Sequence, residues 1–166
     1  LGGQAHDVVF HPNGRRLYGI VGDGTVRVWD TETWREVDVL RKHEDHGTGI
    51  CIDPSGQFLV TAATDEKRIL WRLDTKEAVM FPRGPDHQSP RASNQLTFRP
   101  DGRQLAEVTW LNEVRVWDMT APTPRYVRSH TAGLSVCYSP DGKKLVVGTT
   151  EGAIRLYDSE TGMELG

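Results

Sequence analysis

The chain has 166 residues, with 20 Lys plus Arg against 23 Asp plus Glu and a net charge of −3. That balance gives no global basic signal for nucleic acid or for an anionic membrane surface. Hydrophobic residues make up 37% and charged residues 26%, which is lean but not the profile of a disordered chain. No apolar run approaches the ~18 residues of a membrane-spanning helix.

In chain order, the first element is an apolar stretch that runs into Phe10-His11-Pro12-Asn13-Gly14. Pro fixes φ at one corner of a tight turn and Gly accepts a positive φ at the other. A second strand follows, then the polar turn Gly22-Asp23-Gly24, then Val26-Arg27-Val28-Trp29-Asp30. Val26 and Val28 alternate with Arg27, as in a strand with one buried face. A weaker fourth strand spans 35–40. The pattern leaves no room for a helix of ordinary length.

The same tract recurs as Ile52-Asp53-Pro54-Ser55-Gly56, Phe98-Arg99-Pro100-Asp101-Gly102 and Tyr138-Ser139-Pro140-Asp141-Gly142, with prolines 42, 46 and 40 residues apart. Its companion recurs as Val114-Arg115-Val116-Trp117-Asp118 and Ile154-Arg155-Leu156-Tyr157-Asp158, the aromatic again 17 residues after the proline. Two linked motifs at constant offset define four units of an all-β chain, approximately 1–42, 43–92, 93–129 and 130–166. Each is expected to be a four-stranded antiparallel meander.

The second unit has an ambiguous register. Leu17 to Val26, Leu105 to Val114 and Leu145 to Ile154 are each nine apart, whereas Leu59 to Ile69 is ten. One extra residue in the 64–68 turn accounts for this. It turns Ile69 and Trp71 inward and puts Arg72 at the position of Trp29. The alternative register aligns Trp71 with Trp29 but buries Arg68, which is costly for a charge.

These motifs resemble WD40 repeats, the units of β-propellers. The marks are Trp29-Asp30, Trp117-Asp118, the softened Tyr157-Asp158, the four Pro-x-Gly turns, and His43 and His130 at the Gly-His site of the repeat. The resemblance covers essentially the whole chain. It implies blades locked by a His, a strand Ser/Thr, a turn Asp and the Trp. Asp23 and Asp65 match the turn Asp and Glu151 is a softened version. Because no unit shows all four members, packing rather than polar locks is expected to hold the blades. Resembling propellers usually close with about seven blades. Four units therefore predict an open propeller, a fragment of a longer one, able to self-associate through its free blade edges.

No nucleophile elbow, phosphate loop or dinucleotide fingerprint is present. His43-Glu44-Asp45-His46 is rich in ligand atoms but lacks helical context, and no metal or cofactor is expected. Cys51 and Cys137 read as buried apolar residues, Trp34 as packed on its own blade, and Arg27, Arg115 and Arg155 as solvated strand faces.

The resemblance implies a non-catalytic protein-protein interaction scaffold, cytoplasmic, with protein or peptide partners and neither nucleic acid nor membrane. Docking is expected on the face that carries the turns between second and third strands. The candidates there are Asp45, His46, Asp65, Lys67, Asn94, Trp110, Leu111, Asn112 and Glu151. Trp110-Leu111 is the preferred anchor, since an exposed Trp is a typical binding residue. The proline-rich stretch 82–94 should be a loop on the same face. The alternative is a regulatory or sensor propeller segment of a larger multidomain protein, such as a bacterial protein kinase, with the enzyme domain outside this chain.

Overall fold

The computed structural model describes residues 4–81, 93–109, 112–121, 125–130 and 133–166. These form fifteen strands in four antiparallel sheets. The first sheet is β1 (Ala5–Phe10), β2 (Arg16–Val21), β3 (Val26–Asp30) and β4 (Glu36–Leu40). The second is β5 (Gly47–Ile52), β6 (Phe58–Ala63), β7 (Arg68–Arg72) and β8 (Ala78–Met80). The third is β9 (Ser93–Phe98), β10 (Gln104–Thr109), β11 (Val114–Asp118) and β12 (Arg125–His130), and the fourth is β13 (Gly133–Tyr138), β14 (Lys144–Thr149) and β15 (Ile154–Asp158).

Each sheet is a meander because its first turn is closed by the Pro-x-Gly tract. Gly14, Gly56, Gly102 and Gly142 all have φ between 70° and 75°. Each donates its N–H to a carbonyl three residues earlier, as Gly14 does to His11 at 2.8 Å. A side chain at that φ would be strained, so the glycine is what allows the chain to reverse there.

The first strands β1, β5, β9 and β13 lie innermost and pack on one another in sequence. Each carries one bulged residue against its neighbour, respectively His6, Thr48, Asn94 and Leu134. The bulges sharpen the twist at the same point of every sheet. The residues just after two of them stitch the blades together. Asp7 accepts the Ile50 N–H at 3.1 Å, and Gln95 accepts the Val136 N–H at 2.8 Å.

Three apolar cores fill the junctions between consecutive sheets. Val26 and Val28 pack with Leu59, Ile69 and Trp71. Val60 and Leu70 pack with Leu105 and Trp117. Val114 and Val116 pack with Leu145, Val147 and Tyr157. The alternation read in β3 and β11 thus feeds the junction with the following blade.

The register of the second sheet corrects the expected insertion. Leu59 pairs with Trp71, as Leu17 pairs with Trp29, Leu105 with Trp117 and Leu145 with Tyr157. The 64–68 turn holds no extra residue, Trp71 is the repeat's tryptophan, and Arg72 occupies the position of Asp30. Arg68 is indeed buried, its side chain 10% exposed, but its Nε lies 2.5 Å from Glu107 Oε2 in the next blade. The charge is tolerated because its counter-charge comes from another unit.

Other expectations are revised as well. The fourth sheet has three strands rather than four; residues 163–166 run back along β15 through a bridge between Tyr157 and Glu164 and backbone bonds to Leu156 and Asp158. Arg115 is buried against Glu113 at 2.8 Å, whereas Arg27 and Arg155 keep partial exposure. Trp34 is 63% exposed instead of packed, and it stands at the end of its turn with a positive φ of 55°. Cys51 is buried but Cys137 is exposed, since they fall on sheets with different neighbours.

Candidate interaction face

The turns between second and third strands emerge at one end of the blades, and in the second blade a polar lock sets their position. Trp71 Nε1 donates to Thr61 Oγ1 at 2.9 Å. Thr61 Oγ1 lies 2.8 Å from His43 Nε2, and His43 Nδ1 lies 3.1 Å from both Asp65 oxygens. The Asp65 carboxylate can only accept, so Nδ1 of His43 carries a proton and donates to it. In the neutral ring Nε2 then accepts from the Thr61 hydroxyl, which itself accepts from the Trp71 indole N–H. Burial holds the His43 pKa below its ordinary value, against the opposing pull of Asp65.

The second unit thus has all four lock members, contrary to the expectation that none does. Strand register explains why the others lack it. The place of Thr61 is taken by Gly19, Glu107 and Val147 in the first, third and fourth blades. Only Thr61 offers a hydroxyl. The register expected from the sequence removes Trp71 from the set, whereas the observed pairing with Leu59 restores it.

Asp65 was expected among the docking residues. It is instead an interior group, its side chain 5% exposed. Besides His43 it accepts the N–H groups of Glu44 at 3.0 Å and Lys67 at 3.0 Å. Its role is to tie the 43–46 segment to the 64–67 turn. Asp23 serves a more local purpose, with the Thr25 hydroxyl and N–H on Oδ1 at 2.6 and 2.9 Å. These bonds, the hydroxyl first, lower the Asp23 pKa.

Around the lock, the exposed groups form one ion pair and one histidine–carboxylate contact. Lys67 Nζ meets Glu44 Oε1 at 2.7 Å, and His46 Nδ1 meets Asp45 Oδ1 at 3.0 Å. The backbone N–H of His46 holds the Asp45 carboxyl below the usual range. His43 and His46 point in opposite senses, one into the lock and one to solvent, so the ligand-rich sequence 43–46 does not converge. Among the described residues, no group of three His, Cys, Asp or Glu could hold a metal ion.

Glu151 stands exposed on the corresponding turn of the fourth blade, 3.6 Å from Arg155. Asn112 closes the third blade's turn at φ 59°, and its carbonyl accepts the Gly133 N–H at 2.6 Å. Trp110 and Leu111 lie outside the described residues, as do residues 82–92 and the side chains of Asn94 and His130. The remaining repeat residues act at the opposite end. Asp30, Asp118 and Asp158 each cap the turn that follows, accepting from Thr33, Thr120 and Thr161. In the second blade the capping Asp is replaced by Arg72, whose guanidinium sits 5.4 Å above the Phe58 ring.

The sheets, their radial packing and the Trp–Thr–His–Asp lock define an unclosed β-propeller. The chain belongs to the WD40-repeat family of these folds. The family model "WD domain, G-beta repeat" matches residues 3–30. The model "Anaphase-promoting complex subunit 4 WD40 domain" matches residues 107–165. The chain is 29% identical over 150 residues to Periodic tryptophan protein 2 homolog of Dictyostelium discoideum, covering 87% of this chain and 16% of that protein. It is 26% identical over 117 residues to Pre-mRNA-processing factor 19 of Mus musculus, covering 70% of this chain and 23% of that one. It is 24% identical over 173 residues to Eukaryotic translation initiation factor 3 subunit I of Aspergillus terreus, covering 95% and 50%. The chain thus spans half or less of these relatives. The solved β-propeller domain of Cps50 (Swd1) from Myceliophteria thermophila superposes with a TM-score of 0.82 at 23% identity, over 100% of this chain and 55% of that one, which speaks to the fold alone.

Proposed function

We propose that this chain is a non-catalytic scaffold that docks protein or peptide partners on the face carrying the 43–46 and 64–67 segments. The observation that carries this reading is the lock beneath that face. It holds Asp45, His46 and Lys67 outward on a backbone tied down by Asp65. Exposed polar groups on a pre-ordered backbone bind with little ordering cost. Two comparisons support the reading by name, one matching a subunit of a translation initiation factor and one a domain of an anaphase-promoting complex subunit.

The test is affinity capture with the intact chain as bait. The double variant His46→Ala, Lys67→Glu should lose the captured partner, whereas Trp34→Ala, at the opposite end of the blades, should retain it. Trp110→Ala is a third arm for the anchor expected on the same face. Recovery unchanged in both loop-face variants sinks the reading.

A further inference from the structure

The first turn of the first blade reads Pro12-Asn13-Gly14, and the middle residues of its sister turns are Ser55, Asp101 and Asp141. All four side chains act alike. Each oxygen accepts the N–H two residues ahead: Asn13 from Arg15 at 2.9 Å, Ser55 from Gln57 at 3.3 Å, and Asp101 and Asp141 from Arg103 and Lys143 at 3.0 Å. Of the asparagines in the chain, only Asn13 precedes a glycine. Without a Cβ on the next residue, little hinders that residue's backbone nitrogen from reaching the carboxamide carbon.

In the closed turn both reacting groups are engaged elsewhere. The Gly14 N–H donates to the His11 carbonyl at 2.8 Å, and the Asn13 carboxamide oxygen is held by Arg15. The Asn13 N–H donates to His11 Nδ1 at 3.2 Å. The same ring is anchored on the second blade, where Nε2 donates to the Gly56 carbonyl at 3.1 Å. A carbonyl can only accept, so Nε2 carries the proton and Nδ1 is the acceptor. Asn13 and Gly14 are exposed, and a Cβ on Gly14 would meet nothing within 4 Å, so water reaches the turn freely.

We propose that Asn13 is a self-modification site, deamidating through attack by the Gly14 nitrogen, and that closure of the first-blade turn holds the reaction off. When the turn opens, the Gly14 amide loses its proton to solvent and its nitrogen bonds to Asn13 Cγ. The carboxamide C–N bond breaks, and its nitrogen takes up a proton from water and leaves as ammonia. Water then opens the resulting succinimide at one carbonyl or the other, leaving an aspartate or an isoaspartate at position 13. The aspartate fits, because Asp101 and Asp141 already make the required contact in the sister turns. The isoaspartate adds a carbon to the backbone and displaces the Gly14 N–H from the His11 carbonyl. The site is separate from the loop face and does not depend on that reading.

Peptide mapping by mass spectrometry tests it on the intact chain in mildly alkaline buffer, with and without denaturing urea. Position 13 should gain the mass that a carboxylic acid has over a carboxamide at least about ten-fold faster in urea, because the folded chain must first open the turn. His11→Ala, which removes the anchoring ring, should react faster than wild type in buffer and equally fast in urea. Asn13→Asp should unfold at the wild-type urea midpoint. Equal wild-type rates with and without urea, no mass gain at position 13 in urea, an unchanged rate in folded His11→Ala, or a lowered midpoint in Asn13→Asp overturns the proposal. Should His11→Ala fail to fold, the wild-type comparison and Asn13→Asp decide it.

Discussion

Arg68 of the second blade and Glu107 of the third meet across the blade boundary, Nε to Oε2 at 2.5 Å, with the Glu107 side chain wholly removed from solvent. Sequence separation hides this pair, since 39 residues lie between its members. A buried ion pair broken on one side leaves an uncompensated charge, which costs about 3–5 kcal/mol. Glu107→Ala and Arg68→Ala should each unfold at correspondingly lower urea. The double replacement Arg68→Met, Glu107→Leu should recover most of that loss, because removing both charges also removes the desolvation cost. Additive losses in the double variant would refute the coupling.

The lock makes a second prediction. Thr61→Val keeps the shape of the side chain but strips the hydroxyl from both Trp71 Nε1 and His43 Nε2. Two buried polar atoms then lack a partner, at a cost of about 2–4 kcal/mol. Thr61→Ser should cost much less, because it retains the hydroxyl. Chemical denaturation of the two variants side by side checks this.

Stability should also depend on pH through His43. Burial keeps its folded pKa below the ordinary 6.5, so the unfolded chain takes up the proton first on acidification. Stability contributed by the neutral ring is complete above 6.5 and is lost as the pH falls below that value. The melting temperature of the wild type should therefore fall between pH about 7.5 and about 5 more steeply than that of His43→Gln, which cannot protonate there. Parallel slopes would show that His43 is not the responsible group.

The two thiols should separate cleanly. Cys51 is buried and desolvation pushes its pKa well up, which suppresses the reactive thiolate. Cys137 is exposed. A maleimide probe on the folded chain should label Cys137 first, with Cys51 reacting only on unfolding, as read by peptide mass mapping.

Glycines at different places should fail for different reasons. A Cβ on Gly47 would lie 2.0 Å from Ile20 Cγ1, inside the first junction core. Gly47→Ala should cost about 1–3 kcal/mol through overpacking. Gly152 has open space around it but a φ of 79°, so Gly152→Ala should cost about 1 kcal/mol through backbone strain alone. Equilibrium unfolding of both variants gives the comparison.

Much of this architecture was legible in the chain. The Pro-x-Gly turns, the Trp-Asp pairs and the constant offset of 17 residues carry local chemistry, and each acts within a few residues of itself. The failures have one shared cause. The sequence around Arg68 does not reveal its counter-charge, so it favours a register that takes Trp71 out of the lock of His43, Thr61, Asp65 and Trp71. Asp65 was read as exposed because a turn Asp usually is, yet here a histidine 22 residues earlier folds over it. The exposure of Trp34 and Cys137 is not legible in the sequence, because burial depends on which sheet lies opposite, and a single strand does not carry that information.

The amino-acid sequence by itself determined the repeat, the meander and the turns, because these follow from backbone geometry at proline and glycine and from the period of two along a strand. Only the tertiary structure decided which charges could be buried and which unit has a lock. Arg68 acquires its partner only when neighbouring blades come together. Those contacts join residues far apart in the chain, and the energy of a buried charge or a bridged junction is set by its partner rather than by its own neighbours.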